Sequence, residues 1–185
     1  NHMRSENKQT VNVSFNLGFV AFELEDILSV FGGKEEIVGP FLIISRKNGL
    51  AIESAEEAEQ ECRPFLNNPH GRISQQWLIK RVSPKSKEIV ILSAVNGMAL
   101  DRTPRSHDGA PLILYGENSL AWQRWKLQKT PDKFGWIIQS IHDSRVLDVG
   151  RTPSVNDEIW MWTIHELEHQ QFLILTIGKN RATIS

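Results

Sequence analysis

Cysteine is nearly absent: Cys62 stands alone in 185 residues, so no intrachain disulfide can form. A chain of this length can bury a substantial core as one domain without that help. A lone cysteine also fits a reducing compartment. No apolar run approaches a membrane span, and no charged-then-apolar signal segment opens the chain. An excess of one charge is missing too. With 21 basic and 22 acidic residues the formal net charge is −1, which gives no basic field for nucleic acid or an anionic membrane. No glycine loop suited to cradling phosphate is present, and Glu59, Gln60 and Glu61 disfavour a thiolate at Cys62. His107-Asp108 reads most simply as a loop pair. The expectation is a cytoplasmic, non-catalytic protein with no cofactor. Asn1-His2 ahead of Met3 reads as a vector-derived remnant.

What the chain does have is a repeat. Gln75-Gln76-Trp77, Gln123-Arg124-Trp125 and Gln170-Gln171-Phe172 place their aromatic members 48 and 47 residues apart. A second pattern keeps the same step: Ile44-Ser45-Arg46-Lys47-Asn48-Gly49 aligns with Leu92-Ser93-Ala94-Val95-Asn96-Gly97. A looser third copy runs from Gln139 through Asp143-Ser144 to Asp148. Two markers repeating in step indicate one structural unit used three times.

The local code inside the unit is β. Short apolar runs rich in β-branched residues (Phe41-Leu42-Ile43-Ile44; Ile89-Val90-Ile91-Leu92) precede each Asn-Gly. Asn-Gly predicts a tight hairpin with positive φ at both central positions; Asp143-Ser144 predicts a weaker turn of the same kind. A further strand (Leu112-Ile113-Leu114-Tyr115; Ile159-Trp160-Met161-Trp162) and the Gln-x-aromatic strand complete four strands per unit, twelve in all. Ahead of the repeat, Val11, Val13, Phe15, Leu17 and Phe19 alternate with polar residues, predicting a strand over residues 11–19 and a candidate surface for self-association. Residues 22–31 predict a short helix ended by Gly32-Gly33.

Three such units, each closing on Gln-x-Trp or its phenylalanine variant, resemble the ricin B-chain type of lectin domain. The resemblance covers residues 37–178, with units at about 37–84, 85–131 and 132–178, an N-terminal extension 1–36 and a tail 179–185. It implies an all-β fold, the β-trefoil: a six-stranded barrel capped by three hairpins. Barrel closure would leave no exposed sheet edge. Trp77, Trp125 and Phe172 would be core anchors, and each preceding glutamine would satisfy backbone groups where the loop turns in.

The resemblance also implies a sugar pocket per unit: an acid after the hairpin, an aromatic platform, an amide-like group, and the glutamine. Such a set matches a ring with a hydroxyl rim and C–H faces. In the second unit these are Asp101, Tyr115, Asn118 and Gln123, with Asp108-Gly109-Ala110-Pro111 leading into the platform strand. In the third they are Asp148, Trp162, His165 and Gln170. The first unit departs most: Glu53 is one methylene longer, the platform falls near Asn67, and Glu53, Glu56, Glu57, Glu59 and Glu61 make its loop acidic. No pocket is expected there, although Phe65 is available as a substitute platform. The implied ligand is a carbohydrate, free or in a glycoconjugate. The competing readings are a protein-interaction module with lapsed pockets, or a trefoil that inhibits hydrolases through a loop.

His165-Glu166-Leu167-Glu168-His169 fits the zinc-protease pattern literally. That pattern needs a helix, on which histidines four apart share a face. Here the string links two expected strands and no third ligand follows it, so no dedicated metal site is expected, and adventitious surface metal binding by the two histidines is the expected reading instead of catalytic zinc.

Overall fold

The computed structural model describes residues 37–57 and 59–177. The expected strand at residues 11–19, the helix at 22–31 and the tail 179–185 lie outside the described residues.

The described chain is all β, with β1 (Ile37–Ser45), β2 (Ala51–Glu53), β3 (Phe65–Asn67) and β4 (Trp77–Arg81) making the first unit. The second holds β5 (Ile89–Ser93), β6 (Ala99–Asp101), β7 (Ala110–Pro111), β8 (Ile113–Tyr115) and β9 (Trp125–Lys129). The third holds β10 (Trp136–Ser140), β11 (Val146–Asp148), β12 (Trp160–Trp162) and β13 (Phe172–Thr176). A 3-10 turn precedes each Gln-x-aromatic strand: Ile73–Gln75, Ala121–Gln123 and Glu168–Gln170.

Strands β1, β4, β5, β9, β10 and β13 pair antiparallel in that order, and β13 pairs back to β1. The ring is closed, so the barrel has no edge for a foreign strand to extend. Hairpins β2–β3, β6–β8 and β11–β12 cap one end. This is the β-trefoil. Trp77, Trp125 and Phe172 are wholly buried in one core cluster. The two indoles also satisfy their polar edges, with Nε1 donating to the Ile52 and Leu100 carbonyls at 3.0 and 3.2 Å. Gly39 is fixed by close approach. A Cβ there would lie 2.8 Å from the Trp77 carbonyl, where β1 shifts register against β4.

Two expectations are corrected. Among the described residues thirteen strands are formed, because Ala110-Pro111, expected as part of the turn leading into the platform strand, makes a short strand of its own: β7 pairs with β12 of the third unit, whereas β8 pairs with β6 of its own. The hairpins are also looser than two-residue turns. Ser45 N bonds the Leu50 carbonyl and Ser93 N the Met98 carbonyl, and positive φ falls at Gly49, Gly97 and Ser144 but not at the residue before each. The residue before contributes a side chain instead. Asn48, Asn96 and Asp143 Oδ1 accept from the backbone N–H of Leu50, Met98 and Arg145 at 3.0–3.1 Å. Ser45, Ser93 and Ser140 Oγ each accept from the N–H two residues on.

Candidate functional site

The three glutamines set one frame. Each is wholly buried, and its Oε1 accepts the backbone N–H five residues earlier: His70, Asn118 and His165, all at 2.8–2.9 Å. Each Nε2 donates to a carbonyl: Asn68, Gly116 or Thr163. The side chain five residues before the glutamine is itself tied to the backbone. His70 Nδ1, Asn118 Oδ1 and His165 Nδ1 accept from the N–H two residues on. The frame therefore presents three variable side chains in a fixed arrangement: the acid, the residue five before the glutamine, and the residue one before it.

In the second unit the acid, itself only 4% exposed, lies in the wall of a groove. Asp101, Tyr115 and Asn118 line one groove of about 610 Å³. Asp101 Oδ1 accepts the Thr103 N–H at 2.7 Å and Oδ2 accepts Gln123 Nε2 at 3.1 Å, so the carboxylate is aimed before any ligand arrives. Burial pushes the Asp101 carboxyl above the usual range, against the Thr103 and Gln123 bonds and the nearby Arg102 charge, which lower it. Tyr115, on the strand opposite Ala99, is 37% exposed. Gln123 sits behind Asp101 as a brace and is not among the groove's lining residues.

Sequence reasoning missed much of the wall. Trp122, one residue before the glutamine, lines the groove and packs edge-on against His142 at 5.1 Å. The acidic loop of the first unit supplies another wall through Glu61 and Arg63. It runs along β8, with Glu61 N donating to the Leu114 carbonyl and Gln60 Oε1 accepting the Gly116 N–H. Stepping 48 residues back from Asn118 and Trp122 finds His70 and Ser74, and 47 forward finds His165 and His169; that signal was present in the sequence. The cross-unit wall carried no such signal.

In the third unit Asp148, His165 and Gln170 come together, with Trp162 exposed opposite Val146 in the register Tyr115 has with Ala99. Asp148 Oδ1 accepts the Gly150 N–H and Oδ2 accepts Gln170 Nε2. Here the acid's other face is flanked by two imidazoles, His165 Nε2 at 3.5 Å and His169 Nε2 at 3.8 Å from Oδ2. Burial, with the charges of His165, Arg151 and Lys47, pushes the His169 pKa down against the pull of Asp148. Residues 163–167 form no helix, and Glu166 has a φ of 62° with its carboxylate accepting from Gln128. Zinc-protease geometry is therefore absent; the carboxylate beside the two imidazoles is Asp148, which arrives from β11, upstream of the motif.

In the first unit the acid is closed off. Glu53 Oε1 pairs with His70 Nε2, and Oε2 accepts Asn67 Nδ2 at 3.2 Å. Asn67 opposite Ala51 holds the platform register, with Phe65 two residues away opposite Glu53. Cys62, within the acidic loop and half-buried against the core, has its pKa raised chiefly by burial.

Residues 73–159 match the family described as ricin-type beta-trefoil lectin domain-like. Solved structures share the fold at low identity. The designed threefold-symmetric protein ThreeFoil is 18% identical with a TM-score of 0.70, over 77% of this chain and 100% of that one. A ricin B-like lectin of Macrolepiota procera, solved with lactose, is 21% identical with a TM-score of 0.58, over 74% of this chain and 94% of that one. An exo-β-1,3-galactanase of Clostridium thermocellum is 20% identical with a TM-score of 0.65, over 76% of this chain but 30% of the galactanase. No curated protein matches the chain. The family match over residues 73–159 and the resemblance carried by the Gln-x-aromatic repeat coincide, so that this stretch of the chain is similar to ricin-type β-trefoil lectin domains.

Proposed function

We propose that this protein binds carbohydrate without catalysis, chiefly in the second-unit groove, with Asp101 accepting from sugar hydroxyls, Tyr115 stacking on the ring, Asn118 adding an amide and Gln123 bracing the acid. The third unit supplies a second, altered site from Asp148, Trp162, His165 and Gln170. A cytoplasmic setting belongs to the same proposal and rests on the lone cysteine. Among the described residues no helix is long and apolar enough to cross a membrane.

One observation carries the reading: the acid, the aromatic and the amide line a single open groove, with the acid already oriented by two donors. Preorientation matters because a shallow site gains little from burial and must spend nothing on ordering its own groups. The lactose-bound relative on this fold supports the ligand class. A single pocket of this depth should hold a sugar near the millimolar level, about 4 kcal/mol, so useful avidity requires two sites or several chains.

A glycan array tests it. Binding should be present in the native chain and lost in Asp101→Ala and in Tyr115→Ala, with circular dichroism unchanged. Binding that survives both substitutions removes the second-unit assignment. No binding to any glycan favours a protein partner instead.

A further inference from the structure

We propose that Asp148, His165 and His169 form a binding site for a divalent transition-metal ion, with zinc the ion their donor set fits best. Their ligating atoms all lie within 4.8 Å of one another. The two imidazole Nε2 atoms stand 3.5 and 3.8 Å from Asp148 Oδ2. Ligands about 2.1 Å from a tetrahedral zinc are separated by about 3.4 Å, so these two edges need to close by no more than a few tenths of an ångström. Two imidazoles and a carboxylate suit zinc and its first-row neighbours, whereas calcium and magnesium take oxygen ligands.

The surroundings fit a three-ligand site with one open position. Asp148 and His169 are 4% and 8% exposed, so two ligands are fixed in the wall. His165 stands on the rim and leaves a side open to water. Asp148 is oriented from behind by Gly150 N–H and Gln170 Nε2, the kind of outer support that holds a metal ligand in place. Lys47 and Arg151 oppose a cation here, although Lys47 lies 4.0 Å from Glu168. Affinity should therefore be moderate. Glu166 is turned away to Gln128, so no general base faces the ion and the site binds without cleaving.

The sister units serve as internal controls. The same three positions hold Glu53, His70 and Ser74 in the first unit and Asp101, Asn118 and Trp122 in the second. Neither has a second imidazole, and the position before the glutamine makes the difference. A chemical signature also follows. Leu167 N–H donates to His165 Nδ1 at 3.1 Å, so the neutral ring carries its proton on Nε2, toward Asp148. An ion on Nε2 must move that proton to Nδ1 and displace the Leu167 bond.

The test is calorimetric titration of the full chain with zinc, without any sugar, so its outcome is independent of the carbohydrate proposal. One ion per chain should bind, about tenfold or more weaker in His165→Asn and in His169→Ser. Both substitutions install a sister unit's residue. The exposed His165 change leaves the core untouched and decides the matter even if the His169 change unfolds the chain. Ring ¹⁵N spectra should show the His165 proton moving from Nε2 to Nδ1 on zinc addition. Zinc uptake undiminished in His165→Asn, or no uptake by the native chain, overturns the proposal.

Discussion

The second and third units share a backbone frame and differ in what surrounds its acid. Asp101 and Asp148 each accept one bond from a backbone N–H two residues on and one from the frame glutamine. Beyond that, Asp101 opens onto a groove walled by Trp122, while Asp148 is enclosed by His165 and His169. On the readings proposed above, two substitutions on one short segment add a cation site to a unit that otherwise carries an altered form of the same sugar set. The first unit shows a third outcome, with Glu53 long enough to reach His70 and close its own pocket. A fixed acid is thus insufficient to define a ligand; the residues five and one before the glutamine decide what the acid can reach.

The largest predicted effect breaks the likeness of the hairpins. Asn48, Asn96 and Asp143 occupy one position and make one turn bond each, but Asp143 also neutralises Arg102, whose side chain is wholly buried. Asp143→Ala should cost about 3 kcal/mol or more, because it strands a buried charge. Asn48→Ala and Asn96→Ala should cost about 1 kcal/mol each. Urea melts of the three variants measure the contrast, and Arg102→Met with Asp143→Asn should recover most of the loss. The pH dependence has a defined sign. Burial alone would raise the Asp143 carboxyl, but bonds from Arg102 and Arg145 hold it down to about 2, below its unfolded value. Its contribution is complete above the ordinary carboxylate range, near pH 4, and is lost as pH falls through about 2.

Asp101 should behave in the opposite way. Its folded pKa is raised, mainly by burial, so the folded state holds that proton more tightly than the unfolded chain. The ionised group then weighs against stability at neutral pH, and this penalty is relieved as pH falls through the raised value. Asp101→Asn should melt no lower than the native chain at pH 7 yet lose sugar binding by tenfold or more, about 1.4 kcal/mol. Native sugar affinity should begin to fall at a pH above the ordinary carboxylate range. A destabilised Asp101→Asn would mean that the acid is held for structure.

A graft sharpens the comparison from the other side. Glu53→Asp, Asn67→Tyr and His70→Asn together give the first unit the second unit's acid, platform and amide in the same register. Sugar stoichiometry should rise by one weak site, near the millimolar level or about 4 kcal/mol. No added site would show that the wall from the neighbouring unit, rather than these three residues, limits binding.

The barrel was legible in the sequence because identical spacing fixes which strands must pair, and the buried Trp77, Trp125 and Phe172 announce themselves at that spacing. Asp101, Tyr115 and Asn118 were named through the resemblance, and they line one groove. The wall of the groove was not. Glu61 and Arg63 enter from the first unit, where the glutamates read only as an acidic loop, and β7 leaves its own hairpin to pair with the third unit. Contacts between units depend on how three copies close around the axis, and no single copy's pattern contains that. Asp148 joining His165 and His169 was hidden similarly: the two histidines sit together in one short string, while Asp148 lies upstream on another strand.

The smallest predicted effect probes that closure. Arg63, on the groove wall, is anchored by Glu158 of the third unit at 2.8 Å, with both side chains well exposed (45% and 36%). An exposed pair of this kind contributes within about 0.5 kcal/mol, so Glu158→Gln should leave the urea midpoint nearly unchanged. Its consequence should appear in the groove instead, because a released guanidinium samples more positions beside Tyr115. Sugar affinity should weaken by about twofold at low ionic strength and match the native chain in high salt, where the pair is screened in both. Equal affinity at every salt concentration would mean that the groove is set by the second unit alone. A salt-sensitive difference means that all three units shape a site whose recognition residues belong to one.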